Sequence, residues 1–182
     1  GKDWHEIKPP LTAHSLTVTS LRFSSDDKYL LSVGRDRQWA VFQRDEASPE
    51  KYTLFMSNPR GHSRMILDAA WAPDRSPPLF ATAGRDKSVK LWQLKDQGNG
   101  KPTFECTSTI NLQSPATAVS FHPSHGQSSD SILAIGDDTG RILLYSVASS
   151  SSADALEVKE LSVFEPSISP SKAITRLAWR PG

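Results

Sequence analysis

Phe80-Ala81-Thr82-Ala83-Gly84-Arg85-Asp86-Lys87-Ser88-Val89-Lys90-Leu91-Trp92 decides how this chain folds. Two short apolar runs flank a polar turn, and the second run closes on tryptophan. That pattern predicts two short strands joined by a tight turn. Trp92 carries one donor, its indole N–H, and a buried indole needs an acceptor. Thr82 can accept that N–H and pass its own hydroxyl proton on. Gly61-His62 stands eighteen residues before Phe80, and Asp86 occupies the turn. His62 can therefore sit between Thr82 and Asp86, with the carboxylate ending the chain. Such a relay ties an incoming loop, a strand and the next turn together through side chains, where no backbone ladder reaches.

The pattern recurs on both sides. Ser32-Val33-Gly34-Arg35-Asp36 lines up with Thr82-Ala83-Gly84-Arg85-Asp86 without a gap. Phe23, Trp71, Phe121 and Trp179 follow one another at 48, 50 and 58 residues, and Gly34, Gly84 and Gly136 at 50 and 52. The first unit predicts strands at Thr17 to Phe23, Tyr29 to Gly34, Trp39 to Phe42 and Tyr52 to Met56. The second predicts them at Met65 to Trp71, Leu79 to Gly84, Ser88 to Trp92 and Phe104 to Ile110. The third predicts Ala116 to Phe121, Ser131 to Gly136, Arg141 to Ser146 and Leu156 to Phe164. A strand at Trp4 to Ile7 precedes them and one at Ala173 to Trp179 follows. No helix-length segment keeps a 3.6-residue period, so the reading is an all-β repeat protein. Its expected boundaries are 1–12, 13–58, 59–111, 112–168 and 169–182.

A Gly-His, a strand, a turn, a second strand, an Asp and a strand ending on Trp resemble the repeat of the WD-repeat β-propeller family. The resemblance implies four-stranded blades around an axis. Propellers close with about four to eight blades. Three complete units with parts of two flanking ones make this a partial propeller, expected to be a fragment of a larger one. The run Leu30 to Phe42, with Arg35-Asp36-Arg37-Gln38-Trp39-Ala40-Val41-Phe42 as its most specific part, narrows the likeness. So do Ser15 to Ser24 and Gly61 to Pro73. These stretches are similar to the C-terminal half of the second subunits of the Elongator complex, a family of double propellers. That family continues past the position of Trp179 to finish another unit. The resemblance implies a non-catalytic scaffold without a cofactor, held among protein subunits that modify the wobble uridine of transfer RNA. The chemistry would lie in a different subunit, and any tRNA contact here would be indirect or weak.

Composition agrees with a globular protein: 37% apolar and 23% charged residues, and a formal net charge of +1. So small a charge argues against a partner bound mainly through phosphate neutralisation. No apolar run approaches the roughly 18 residues of a membrane span. Cys106 is the sole cysteine, and Asn58, Asn99 and Asn111 begin no glycosylation triplet. The expected compartment is the cytoplasm, with the nucleus as a second.

The copies differ. The second unit holds His62, Thr82, Asp86 and Trp92; the first has His14, Ser32 and Asp36 but Phe42 in the Trp place. The third keeps Asp138, ends on Tyr145 and lacks the His. His62 with Asp86 could also be a base with its orienter, but no nucleophile elbow accompanies them. His122-Pro123-Ser124-His125 lacks nearby cysteines or carboxylates for a metal site. Gly98-Asn99-Gly100-Lys101-Pro102 lacks the residues of a phosphate loop. Asp137-Asp138-Thr139-Gly140 reads as turn chemistry, and Cys106 as a small inert hydrophobe in mid-strand. No catalytic or metal-binding residue is expected.

Arg35 and Arg85 each precede the turn Asp, and Arg37 and Lys87 each follow it. In the family this turn and the His-bearing loop share a rim, which adds Arg64 and Met65. One reading is a solvated turn. The other is a basic, partly apolar contact surface, since Arg suits bidentate recognition of carboxylate or phosphate. An adaptor for acidic or phosphorylated peptides and a propeller that binds RNA directly stay open beside the scaffold.

Overall fold

Tyr29, Leu31 and Val33 point to one side of their strand, and Leu30 and Ser32 to the other. All five are buried, so this strand has a neighbour on each face. The structure is a computed structural model that describes residues 6–96, 98, 100–123, 130–150, 155–167 and 172–179. Among them, twelve strands form three four-stranded antiparallel sheets whose spatial order follows the sequence. The first is β1 (Val18–Phe23), β2 (Tyr29–Gly34), β3 (Trp39–Arg44) and β4 (Tyr52–Asn58). The second is β5 (Ile66–Trp71), β6 (Leu79–Gly84), β7 (Ser88–Lys95) and β8 (Thr103–Asn111). The third is β9 (Ala116–Phe121), β10 (Ser131–Asp137), β11 (Ile142–Ser149) and β12 (Leu156–Phe164). These are three successive blades of a partial propeller.

Every first strand carries a bulge at the same place: Thr19, Leu67 and Thr117 are each skipped in the pairing with the second strand. The bulges fix the register between blades. Gly34 and Gly84 then correspond to Asp137, not to Gly136, because Asp137 pairs with Ala116 as Gly34 pairs with Val18. The glycine spacing of the sequence is therefore one residue out of step in the third blade.

The blades meet through apolar seams. Leu31, Val33, Trp39 and Val41 of the first pack on Ile66, Ala69, Trp71, Phe80, Trp92 and Phe104 of the second. Leu79, Ala81, Ala83 and Val89 of the second pack on Ala116, Val119, Phe121 and Ile135 of the third. Nearest the axis, one carboxylate joins all three. Asp68 on β5 accepts the Ser20 hydroxyl at 3.0 Å and an Arg22 guanidinium N–H at 2.9 Å from β1. Its other oxygen accepts the Val119 backbone N–H of β9 at 3.1 Å.

The outer faces are less covered. Leu21 and Phe23 are 55% and 57% exposed, whereas their counterparts Ala69 and Trp71 are 1% and 9% exposed. At the other end, residues 172–179 lie against β9 but form no strand. The Ile174 N–H donates to the Asp137 carbonyl at 2.9 Å, and Thr117 donates its hydroxyl to the Ile174 carbonyl. The Trp179 indole donates to Ser120 O at 3.3 Å. Thr19 and Trp71 make the same two side-chain bonds across the first seam, to Ile66 O at 2.7 Å and Arg22 O at 3.0 Å. Segment 172–179 thus docks as a first strand docks. The expected strand Ala173 to Trp179 is absent because a ladder needs a second strand beside it. Of the expected strand Trp4 to Ile7, Glu6 and Ile7 belong to no strand, and Trp4 and His5 lie outside the described residues.

Candidate functional site: the relay and the rim above it

Thr82 is fully buried and His62 is 2% exposed, both on the seam between the first two blades. The Trp92 indole donates to Thr82 Oγ1 at 2.9 Å, and His62 Nε2 lies 2.7 Å from the same oxygen. His62 Nδ1 is 3.0 Å from both oxygens of Asp86. A carboxylate only accepts, so Nδ1 carries a proton and Thr82 donates to Nε2. Asp86 also accepts the backbone N–H of Ser63 and of Ser88, and the Ser88 hydroxyl at 2.7 Å. Burial alone would raise its pKa. The His62 and Ser88 hydrogen bonds and the nearby imidazole outweigh that and hold the carboxyl well below the usual range.

The first blade holds a shorter version. His14 Nδ1 lies 3.0 Å from both Asp36 oxygens, and its Nε2 is 2.8 Å from Ser32 Oγ. Phe42 supplies no donor, and Ser32 has the Ala40 carbonyl at 3.5 Å as its other neighbour. Asp36 is depressed in the same way: burial opposes, and His14, Ser15 N–H and Gln38 N–H prevail. The Gln38 side chain ties this turn to the Ala13 carbonyl.

The third blade closes its turn differently. Leu112 donates its N–H to the Lys87 carbonyl as His62 does to Arg37, so Leu112 stands in the imidazole's place. Asp137, fully buried, accepts Thr139 N–H and hydroxyl at 2.9 and 2.7 Å and Arg141 N–H and Nε at 3.0 and 2.8 Å. The turn acid expected at Asp138 is therefore Asp137. Asp138 is exposed, and its N–H bonds Pro115 O at 3.1 Å as Arg35 bonds Thr17 and Arg85 bonds Met65. Tyr145 turns outward to Glu160 at 2.9 Å, and burial with that bond pushes its pKa up to about 12.

Chemically the relay is closed. Both ring nitrogens of His62 and of His14 have partners inside the protein, which leaves neither as a free base. No group of three or more potential metal-binding side chains occurs among the described residues. His122 packs edge-on against Trp179 with centroids 4.6 Å apart, and Ser124 and His125 lie outside the described residues. Cys106 is exposed on β8 rather than packed as a small hydrophobe.

The rim side chains are free of such engagements. Arg35, Arg37, Arg85 and Lys87 are exposed in the second-to-third-strand turns of the first two blades. The His62 N–H bonds the Arg37 carbonyl at 3.3 Å, which sets the loop bearing exposed Arg64 and half-buried Met65 between those turns. Arg37 and Lys87 have φ of 70° and 64°, a left-handed backbone; Gly140 fills their position in the third blade with φ of 90°. The sequence gives Asp68 no role of its own and shows Trp39 only as the opening of a strand. The sign for Asp68 was a carboxylate inside an otherwise apolar strand, which requires partners once buried.

Comparison with known proteins matches this geometry. The model of the WD domain, G-beta repeat family matches residues 6–43 and 53–93. A Saccharomyces cerevisiae protein named Elongator complex protein 2 is 37% identical over 98% of this chain and 21% of its own length. Its Dictyostelium discoideum namesake is 36% identical over 98% of the chain and 20% of its own length. The Homo sapiens namesake is 35% identical over 78% of the chain and 18% of its own length. The chain spans about a fifth of these curated relatives. The described residues form three blades of a partial propeller that carries WD repeats, and the chain is similar across nearly all its residues to proteins named Elongator complex protein 2.

Proposed function

We propose that this chain is part of a non-catalytic scaffold subunit of an Elongator-like complex, which modifies the wobble uridine of transfer RNA. The similarity over 98% of the chain to a relative of that name carries the reading. The site supports it, since its imidazoles and carboxylates are engaged in holding turns to strands rather than presented to a substrate. In this reading the chemistry belongs to another subunit, and the propeller holds partners in the cytoplasm or nucleus. The rim residues Arg35, Arg37, Arg64, Met65, Arg85 and Lys87 form its contact surface. The exposed cations also favour a second reading, an adaptor for acidic or phosphorylated peptides.

Affinity purification of the full-length protein followed by mass spectrometry tests the scaffold. Recovery of a stable multi-subunit assembly, together with loss of wobble modification in cells lacking the protein, is the expected result. A protein that purifies alone, with tRNA modification intact in its absence, would overturn it.

A further inference from the structure

A net charge of +1 conceals a concentration of cations on one rim. In the first two blades, the rim that bears the relay carries Arg35, Arg37, Arg60, Arg64, Arg85 and Lys87, all exposed. Its two acids, Asp36 and Asp86, are drawn inward onto His14 and His62. The opposite rim of the same blades is mixed: it exposes Asp26, Asp27, Asp45, Glu46, Glu50 and Asp74, but also Lys28, Lys51 and Lys101. On the third blade the basic rim stops, with Asp138 at the position of Arg35 and Arg85 and Gly140 at that of Arg37 and Lys87.

Arg37 and Lys87 add an independent observation. A side chain with a Cβ is strained in the left-handed region, and glycine is not. The third blade uses Gly140 at this corner; the first two instead hold a long cation there, with no salt bridge among the described residues. Asp27 and Asp74 share this backbone on the opposite rim, but Asp tolerates it better than a long cation does, so Arg37 and Lys87 are kept at a corner where a glycine such as Gly140 would fold as well.

The geometry points to a docking surface for an acidic polypeptide segment along the rim of the first two blades, with Arg37 and Lys87 as its specificity-determining contacts. The inference rests on the scaffold reading, of which it names the partner's chemistry. A polypeptide suits the rim better than a nucleic acid. Single strands are held by stacking bases on aromatic rings, and the rim loops of the described residues carry no Phe, Tyr or Trp. Leu16, 60% exposed, and Met65 lie among the cations instead, where an apolar side chain of a peptide would seat.

The test uses the full-length protein carrying Arg37→Gly with Lys87→Gly, substitutions the backbone there accepts without strain. Binding of a fluorescein-labelled Glu/Asp-rich peptide should weaken at least tenfold, with an unchanged or higher melting temperature and with binding of a single-stranded RNA unaltered. Lys51→Ala with Lys101→Ala, on the opposite rim, should leave the peptide affinity as it was. Peptide affinity unchanged in the glycine variant, or lost equally in the Lys51/Lys101 control, overturns the inference. Loss of RNA binding with peptide binding intact also overturns it and assigns the rim to nucleic acid. Co-purification of partner subunits by the unmodified protein judges the scaffold reading separately. Its failure beside intact peptide binding would sink the scaffold and not the docking surface.

Discussion

Trp39 meets Trp92 edge-on across the first seam, with ring centroids 5.1 Å apart and planes inclined at 62°. The two indoles are not alike. The N–H of Trp92 is taken by Thr82, whereas Nε1 of Trp39 is buried without a partner among the described residues. Trp39 is held by shape, between the Phe80 edge and the backbone of Gly61.

That places a steric demand on Gly61. A Cβ there would stand 2.6 Å from Trp39 Cδ1. Gly61→Ala should lower stability by about 1–3 kcal/mol, the usual range for overpacking a filled seam. Urea unfolding of the full-length protein, followed by tryptophan fluorescence, checks it; an unchanged midpoint would mean that the loop yields freely.

Asp86 and Asp36 should not be equivalent. Asp86→Ala leaves His62, two Ser N–H groups and the Ser88 hydroxyl without their acceptor and should cost about 1–3 kcal/mol. Asp36→Ala breaks a shorter chain that ends at Ser32, with no indole beyond it, and should cost less. Equal losses in denaturant melts would remove the distinction between a full and a partial relay.

The acid limb of stability follows from the same groups. Asp86, Asp36 and Asp137 have folded-state pKa values below their unfolded ones. Their contribution is complete above pH of about 4 and is lost as pH falls through the folded values. Asp86→Asn should flatten the fall in stability between neutral and strongly acid pH. Tyr145 acts at the opposite end, because its folded pKa is raised, to about 12. Its contribution is complete below pH of about 10 and is lost as pH rises from there through the folded value of about 12, so Tyr145→Phe should flatten the alkaline limb alone. Calorimetric midpoints across pH measure both.

Leu21 should behave oppositely in two contexts. On residues 1–182 alone its side chain is half-exposed beside Phe23, and Leu21→Ser should reduce self-association without lowering the melt. In the full-length protein a preceding blade would cover β1, and the same change should cost about 1.5–3 kcal/mol. Light scattering and thermal melts of both forms decide this; a harmless substitution in the long form would mean that β1 stays bare.

The blade plan was legible because strand alternation and turn residues recur at nearly fixed spacing, and the relay residues are of types that need each other when buried. The turn of the third blade was not. Asp137-Asp138 offers two carboxylates in a row, and only the bulge at Thr117 and the bonds from Thr139 and Arg141 select the first. Ala173 to Trp179 has the composition of a strand and the docking contacts of one, but pairing depends on residues it does not contain. Trp39 read as the opening of a strand, since nothing local shows that its indole spans the gap to another blade. The gathering of cations on one rim was hidden for a similar reason. Cations and acids alternate along the chain, and only the up-and-down course of the strands sorts them.

Asp68 gives three blades a shared fate. Because its oxygens are bound from β1 and β9 at once, detaching either neighbour also breaks hydrogen bonds to this carboxylate, so the loss of one seam is felt at the other. Fraying is then expected at the outer strands first, with the inner ones opening together. In amide hydrogen exchange the Val119 N–H, which donates to this carboxylate, then reports the opening of blades on both sides of its own seam.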